Sequence, residues 1–160
     1  MDEKQNLKIN YYLNGALLIT ILILLGSELN FAQTSQKPAS IGKLEVIISG
    51  FSSNEGDCWF AIDNSKEVYE REDTVWIGKI LPIDNNQVIV VIDSLVYGEY
   101  AVRVFHDENR NGKIDTNFLG IPDEDYGYSN DASGWFGPPS WKNAKFIFNQ
   151  PEMTININVD

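Results

Sequence analysis

The chain has one cysteine and one histidine among its 160 residues. These low counts limit the disulfide bonds and the catalytic groups that the protein can have. A single cysteine, Cys58, cannot form an intrachain disulfide, and its alternating surroundings predict a buried thiol on one sheet face. His106 is the only imidazole. Nucleophile motifs and glycine-rich phosphate loops are also missing from the sequence. We therefore predict that the protein is not an enzyme.

Basic residues are scarce as well, since 12 Lys and Arg stand against 23 Asp and Glu and give a net charge of −11. Strong negative charge opposes binding to nucleic acid and to anionic membrane surfaces. Cations are the small partners that such a chain favours. The sequence therefore predicts no nucleic-acid partner.

The chain has only one long apolar run, residues 13–25, and this run is shorter than a bilayer-spanning helix requires. Lys4 and Lys8 precede it, and a small residue at position 32 offers a cleavage point. The predicted organisation is a signal peptide over 1–32, a flexible lead over 33–41 and a single domain over 42–160. This organisation predicts an exported protein, in the periplasm, in the cell envelope or secreted, with no membrane span after cleavage. The alternative is an uncleaved anchor, because two acidic residues weaken the positive charge expected before the run.

A sustained helical period is missing, whereas two-residue alternation occurs along most of the chain. The alternation predicts strands near residues 43–48, 58–62, 75–81, 87–93, 100–106, 145–149 and 153–159. Because the strand at 87–93 is apolar on both faces, we expect it to lie centrally in its sheet. The pattern predicts an all-β, two-sheet sandwich of about seven strands, immunoglobulin-like or transthyretin-like, with a long ordered loop between the late strands.

Oxygen-bearing side chains recur at every second position directly after the fifth predicted strand. They occupy positions one, three, five and nine of a loop that has glycine at position six and a free carbonyl at seven. Such a loop wraps a hard cation, because alternate oxygens point inward while glycine permits the sharp turn. The sequence predicts a structural calcium ion as cofactor. The predicted ligands are Asp107, Asn109, Asn111, Lys113 through its carbonyl, and Asp115.

The loop departs from the EF-hand pattern at position twelve, where Phe118 replaces a bidentate glutamate. One of Asp123, Glu124 and Asp125 would supply the missing carboxylate by folding back, and the sequence leaves this choice open. The alternative interpretation is a plain hairpin turn, because the Asn-Gly dipeptide of the loop is itself a strong turn signal.

Glycine, proline and aromatic residues crowd the following segment, residues 116–141, which has no strong period. A long irregular segment in a compact domain is either functional or held by its own packing. Its aromatic side chains are candidates for a sugar-binding or peptide-binding groove, or for a small second core beneath the loop. The candidate ligand-binding residues are Tyr126, Tyr128, Trp135 and Trp141.

Several longer motifs accompany the loop: His106-Asp107-Glu108-Asn109, Asn111-Gly112-Lys113, Gly120-Ile121-Pro122, Tyr126-Gly127-Tyr128-Ser129-Asn130 and Gly137-Pro138-Pro139-Ser140. Together they resemble the bacterial domain-of-unknown-function family 2141 over essentially the whole predicted domain. The departures are Arg110 and Trp141, where a smaller or acidic residue and a phenylalanine are expected. The resemblance implies a small exported β-sandwich and brings no established activity.

Three functions are compatible with these observations. The first is an exported, calcium-stabilised module that binds a glycan or a protein partner of the envelope through the aromatic loop. The second is a hydrolase of envelope glycans or peptides, which would need two convergent carboxylates in a cleft. The third is a purely structural envelope protein.

Overall fold

The computed structural model describes residues 39–71, 73–135 and 137–160, which form eight strands in two sheets. The predicted signal peptide and most of the predicted flexible lead lie outside these residues. Within the described ranges, no helix is long and apolar enough to cross a membrane. The elements are β1 (Ile41–Ser49), β2 (Asp57–Asp63), α1 (Lys66–Tyr69), β3 (Ile77–Pro82), β4 (Gln87–Val96), β5 (Gly98–Asp107), β6 (Tyr126–Tyr128), a 3₁₀ turn (Ser129–Asp131), α2 (Trp141–Ala144), β7 (Phe146–Phe148) and β8 (Glu152–Asn158).

The predicted two-sheet sandwich is confirmed. One sheet has the order β4-β1-β8, in which β1 runs antiparallel to β4 and parallel to β8. The other has the order β3-β2-β5-β6. β7 pairs with the first three residues of β5, before the residues that pair with β6. Each predicted strand corresponds to an observed one, because two-residue alternation marks a strand with one buried and one open face.

The main core lies between the sheets and consists of the side chains that alternate inward. Leu44, Val46 and Ile48 of β1 are fully buried, while Phe60 and Ile62 of β2 are at most 2 % exposed. The intervening residues of both strands are partly exposed, as the pleat requires. Cys58 belongs to this core, where burial raises the pKa of its thiol to about 12. A thiol in this state is a poor nucleophile.

The expected central position of the strand at 87–93 is wrong, because β4 lies at the edge of its sheet and β1 lies at the centre. The outward side chains Ile89 and Val91 are 54 % and 40 % exposed. Their apolar character therefore reflects β-propensity on an open face rather than burial on both faces. β6 was not predicted, because three residues are too few to show a period.

A second, smaller core covers one part of the outer face of the five-stranded sheet. It contains Tyr69 of α1, Ala101 of β5, and Trp141 and Ala144 of α2. Ser129 fastens this layer, because its Oγ accepts from the backbone N–H of Val102 at 2.9 Å and donates to the carbonyl of Ala144 at 2.6 Å. The irregular segment is thus partly held by its own packing.

A buried ion pair lies beside this second core. Asp63 Oδ2 faces Arg103 Nε at 3.0 Å, although the two atoms lack the alignment of a hydrogen bond. Asp63 is fully buried, and its Oδ1 accepts from the backbone N–H of Trp76 at 3.1 Å. Burial raises the pKa of Asp63, and the charge of Arg103 only partly opposes that rise.

Candidate calcium loop and the aromatic face beside it

Asp107, at position one of the predicted calcium loop, is the most strongly held of its side chains. It is 1 % exposed, and its carboxylate accepts from the backbone N–H groups of Asn111 and Gly112 at 2.9 and 2.8 Å. The indole N–H of Trp59 also donates to it, at 2.9 Å. A carboxylate offers about four acceptor positions, so one remains for a cation.

The backbone curls tightly around this carboxylate. Gly112, at position six, has φ +80°, a left-handed conformation that favours glycine. Arg110 also has a positive φ, of 58°, and its side chain donates to Asp57 Oδ2 at 2.9 Å, outside the loop. These two residues turn the chain so that the side chains at positions three, five and nine face inward.

Those three side chains meet at one point. Asn109 Nδ2 donates to Asp115 Oδ2 at 2.5 Å, and Asn111 Nδ2 donates to Asp115 Oδ1 at 3.0 Å. Because rotation about the Cβ–Cγ bond exchanges the nitrogen and oxygen of an amide, both amides can present oxygen to the same point. The donor set is therefore oxygen-rich and irregular, as calcium prefers. Lys113, the predicted carbonyl ligand, follows within the same turn.

Among the three carboxylates that the sequence left open, Glu124 folds back onto the loop. It is 6 % exposed, its Oε1 accepts from the backbone N–H of Glu108 at 3.0 Å, and its Oε2 accepts from that of Asp115 at 2.8 Å. Glu124 thus joins the start of the loop to its end. Asp123 is exposed, and Asp125 points to a different cluster.

That cluster surrounds the buried ring of His106. The backbone N–H of Ser52 donates to Asp125 Oδ2 at 2.8 Å, and that oxygen lies 3.6 Å from His106 Nδ1. Burial alone would raise the pKa of Asp125, but the hydrogen bonds from Ser52 and the nearby His106 outweigh burial and lower it. Ser52 Oγ also faces Nδ1, at 3.4 Å, so serine and aspartate approach the same ring nitrogen. A relay of the serine-hydrolase kind needs them on opposite nitrogens.

An aromatic and apolar row crosses the uncovered part of the outer sheet face. Strand register places Ile80, Trp59, Phe105 and Tyr126 side by side on β3, β2, β5 and β6. The rings of Trp59 and Phe105 stack with centroids 5.5 Å apart. Ile80 is 55 % exposed and Tyr126 is 36 % exposed, so the row is open to solvent. We call these four residues the aromatic face.

The aromatic face forms the floor of a groove of about 1010 Å³. Gly112, Lys113 and Ile114 of the candidate calcium loop also line the groove. Trp59 connects the two features directly, since its indole donates to Asp107 while its ring lies in the row. Ordering of the loop therefore fixes one wall of the groove.

The four aromatic residues singled out in the sequence occupy three different places. Tyr126 and Tyr128 line the groove, whereas Trp135 is 95 % exposed and Trp141 is buried against Tyr69 in the second core. Trp141 is therefore part of the small second core, which was the alternative to a ligand-binding role.

Sequence reasoning missed three residues of the aromatic face, namely Trp59, Phe105 and Ile80. The available signal was large apolar residues at the outward positions of alternating strands.

The fold and the loop together define a class: a two-sheet β-sandwich with an oxygen-rich loop directly after its fifth strand. The chain belongs to the bacterial family described as "Uncharacterized protein conserved in bacteria (DUF2141)", whose model matches residues 46–156. The resemblance drawn from the motifs is thereby confirmed. No curated protein and no solved structure matches the chain. The match extends from β1 into β8 and includes the candidate calcium loop and the aromatic face.

Proposed function

We propose that the protein is an exported, calcium-stabilised binding module whose aromatic face and calcium loop together form one ligand groove. The observation that carries this proposal is the bond from Trp59 to Asp107, which couples a ring in the groove to position one of the loop. Calcium orders the loop, and the ordered loop completes the groove. This function refines the hypothesis of an aromatic loop, because the groove floor is a sheet face.

The groove favours a carbohydrate as ligand. The exposed ring of Tyr126 and the half-buried ring of Trp59 offer apolar surface to the faces of sugar rings. Aromatic side chains with a polar tip suit ligands that are partly apolar and partly hydrated. Polar groups at the rim, including Lys113, supply directional contacts for hydroxyl groups. Envelope glycans are the corresponding class of ligand for an exported module.

The hydrolase alternative receives no support from the carboxylates near the groove. Asp107 and Glu124 accept backbone N–H groups on their oxygens, Asp115 accepts the two loop amides, and Asp125 accepts from Ser52. Each of these four groups is engaged in holding the loop or a neighbouring segment. A glycosidase needs two carboxyl groups flanking a bound sugar.

Calcium should raise the unfolding midpoint of the full chain relative to the same chain in excess chelator. At about 1 mM calcium and a Kd of about 0.1 mM, linkage gives about 1.4 kcal/mol, or a shift of about 5 °C. Asp115→Ala is expected to abolish this shift. We choose Asp115 because Asp107 also holds Trp59 and two backbone groups.

The matched control for calcium is Asp123→Asn, which removes one charge from an exposed side chain nearby. It should keep the full calcium shift. Equal midpoints in chelator and in calcium would contradict the calcium site and leave the loop as a plain turn.

Glycan binding is tested with a matched pair of isoleucines on the two outer sheet faces. Ile80 and Ile89 are 55 % and 54 % exposed, but only Ile80 belongs to the aromatic face. On an array of soluble envelope oligosaccharides, in millimolar calcium, Ile80→Ser should weaken binding about tenfold and Ile89→Ser should leave it unchanged, because burying one aliphatic side chain contributes about 1.5 kcal/mol. Equal effects of the two substitutions would contradict the groove. Failure of the unaltered chain to bind any glycan would favour the structural alternative.

A further inference from the structure

A second cluster of metal-ligating side chains lies on the opposite side of the same strand end. Asp107 points into the calcium loop, while its neighbours His106 and Glu108 point away from it and meet Asp125. Among the described residues, these three offer ligand atoms that all lie within 4.8 Å of one another. We propose that His106, Glu108 and Asp125 form a site for a divalent transition-metal ion, separate from the calcium loop.

The orientation of the imidazole suits a metal ligand. His106 Nε2 lies 2.6 Å from the carbonyl oxygen of Glu55, and a carbonyl only accepts, so Nε2 carries a proton. In the neutral ring this leaves the lone pair of Nδ1 aimed at the two carboxylates. Metal-ligating histidines almost always donate their other N–H to a carbonyl or carboxylate, which fixes the tautomer.

Nδ1 is only weakly hydrogen-bonded in its buried position. The side chain of His106 is fully buried, and the partner of Nδ1 among the described residues is Ser52 Oγ at 3.4 Å, near the outer limit of a hydrogen bond. A buried ring nitrogen aimed at two carboxylates points to a cation between them. Its environment differs from that of the calcium loop, whose donors are all oxygen atoms.

The separations of His106 Nδ1 from the two carboxylate oxygens match a small transition-metal ion. Zinc binds nitrogen and oxygen at about 2.0–2.2 Å, so tetrahedral ligands lie about 3.3–3.6 Å apart. His106 Nδ1 lies 3.6 Å from Asp125 Oδ2 and 3.7 Å from Glu108 Oε1. Both distances are within a few tenths of an ångström of that spacing, and the carboxylate oxygens of Glu108 and Asp125 lie within 4.8 Å of each other.

Ser52 holds both carboxylates in place. Its backbone N–H donates to Asp125 Oδ2 at 2.8 Å, and its hydroxyl donates to Glu108 Oε1 at 3.0 Å. Each carboxylate oxygen keeps a second lone pair for the ion. The side chains of Glu108 and Asp125 are 50 % and 23 % exposed, so the ion can enter from solvent and keep a water as its fourth ligand. The imidazole nitrogen favours zinc and its neighbours over calcium.

The experiment uses the only histidine as its own reporter. In an untagged full chain the imidazole gives a single set of nitrogen resonances, which belongs to His106. With the calcium loop filled by millimolar calcium, zinc is titrated as the probe. We expect one equivalent to bind, the Nδ1 resonance to move to a metal-bound value, and Nε2 to keep its proton.

Variants then locate the ion by competition with a chromophoric zinc chelator. Glu108→Gln and Asp125→Asn should each weaken zinc binding at least tenfold. Asp93→Asn, which removes the same charge from an exposed position on β4, should leave it within twofold. Glu108 is half-exposed, so its substitution preserves the fold.

Three results would overturn the site. The first is the absence of zinc binding to the unaltered chain. The others are zinc binding that leaves the imidazole resonances unchanged, and zinc affinity that is equal in all three variants. The calcium-dependent unfolding midpoint is measured on the same protein without zinc, so either metal site can fail while the other stands.

Discussion

Arg103→Leu should lower the free energy of unfolding by about 3–5 kcal/mol at pH 7, because it leaves the charge of Asp63 buried without a partner. Asp63 is fully buried, and Arg103 Nε is the cation 3.0 Å from its carboxylate. The guanidinium also donates to the carbonyl of Thr74 at 2.7 Å, so a second contact is lost. Urea unfolding followed by tryptophan fluorescence measures the change.

The loss in the free energy of unfolding caused by Arg103→Leu should become smaller as the pH falls. Burial raises the pKa of Asp63 and Arg103 opposes that rise, so the variant has a still higher folded-state pKa. Since the native state then binds the proton more readily than the unfolded chain, stability falls as the pH rises through the folded-state pKa. The penalty is fully present above that pKa and disappears as the pH approaches the ordinary value of 3.8.

Two variants serve as controls for this prediction. Glu70→Gln breaks an exposed pair with Lys66, whose atoms are 3.7 Å apart, and should cost no more than about 0.5 kcal/mol. Asp63→Asn combined with Arg103→Leu removes both charges and should recover most of the loss. A double variant as unstable as Arg103→Leu alone would show that the buried charge is not the cause.

Glu124→Ala should lower the free energy of unfolding by about 2–4 kcal/mol, because it leaves two backbone N–H groups without an acceptor. These groups belong to Glu108 and Asp115, which stand at opposite ends of the candidate calcium loop. The same substitution should remove the calcium-dependent rise in the unfolding midpoint. Calorimetry in chelator and in millimolar calcium measures both effects on one sample.

Glu124→Gln is the graded control, because its amide keeps one acceptor for one of the two N–H groups. It should lie between the unaltered chain and Glu124→Ala. Asp123→Ala truncates the exposed carboxylate next in sequence and should change stability by less than about 0.5 kcal/mol. A full calcium response in Glu124→Ala would mean that closure of the loop does not depend on this side chain.

Much of the sandwich is predictable because its strands alternate strictly. Leu44, Val46 and Ile48 reveal β1 without any knowledge of its partners, since one buried face imposes a period of two. Two-residue alternation does not reveal which strands lie next to each other in a sheet. Because Ile89 and Val91 are apolar, the sequence suggested that this face of β4 is buried. Only the pairing of the strands shows that β4 lies at the edge of its sheet.

The candidate site divides in the same way. The predicted loop ligands can be identified from local spacing, because Asp107 and Asp115 lie eight residues apart in one loop. Closure by Glu124 could not be chosen from sequence, since all three of Asp123, Glu124 and Asp125 carry a carboxylate and only the path of the backbone decides which one faces the loop. The aromatic face depends on the register of four strands, and register is set by long-range pairing that no local motif encodes.

The parallel pairing of β1 with β8 has a consequence for how the chain acquires its fold. β1 lies between β4 and β8, so one of its edges stays open until residues 152–158 have left the ribosome. Contacts of such long sequence separation form late and slowly. Completion of the three-stranded sheet is therefore a late step in the folding of this chain.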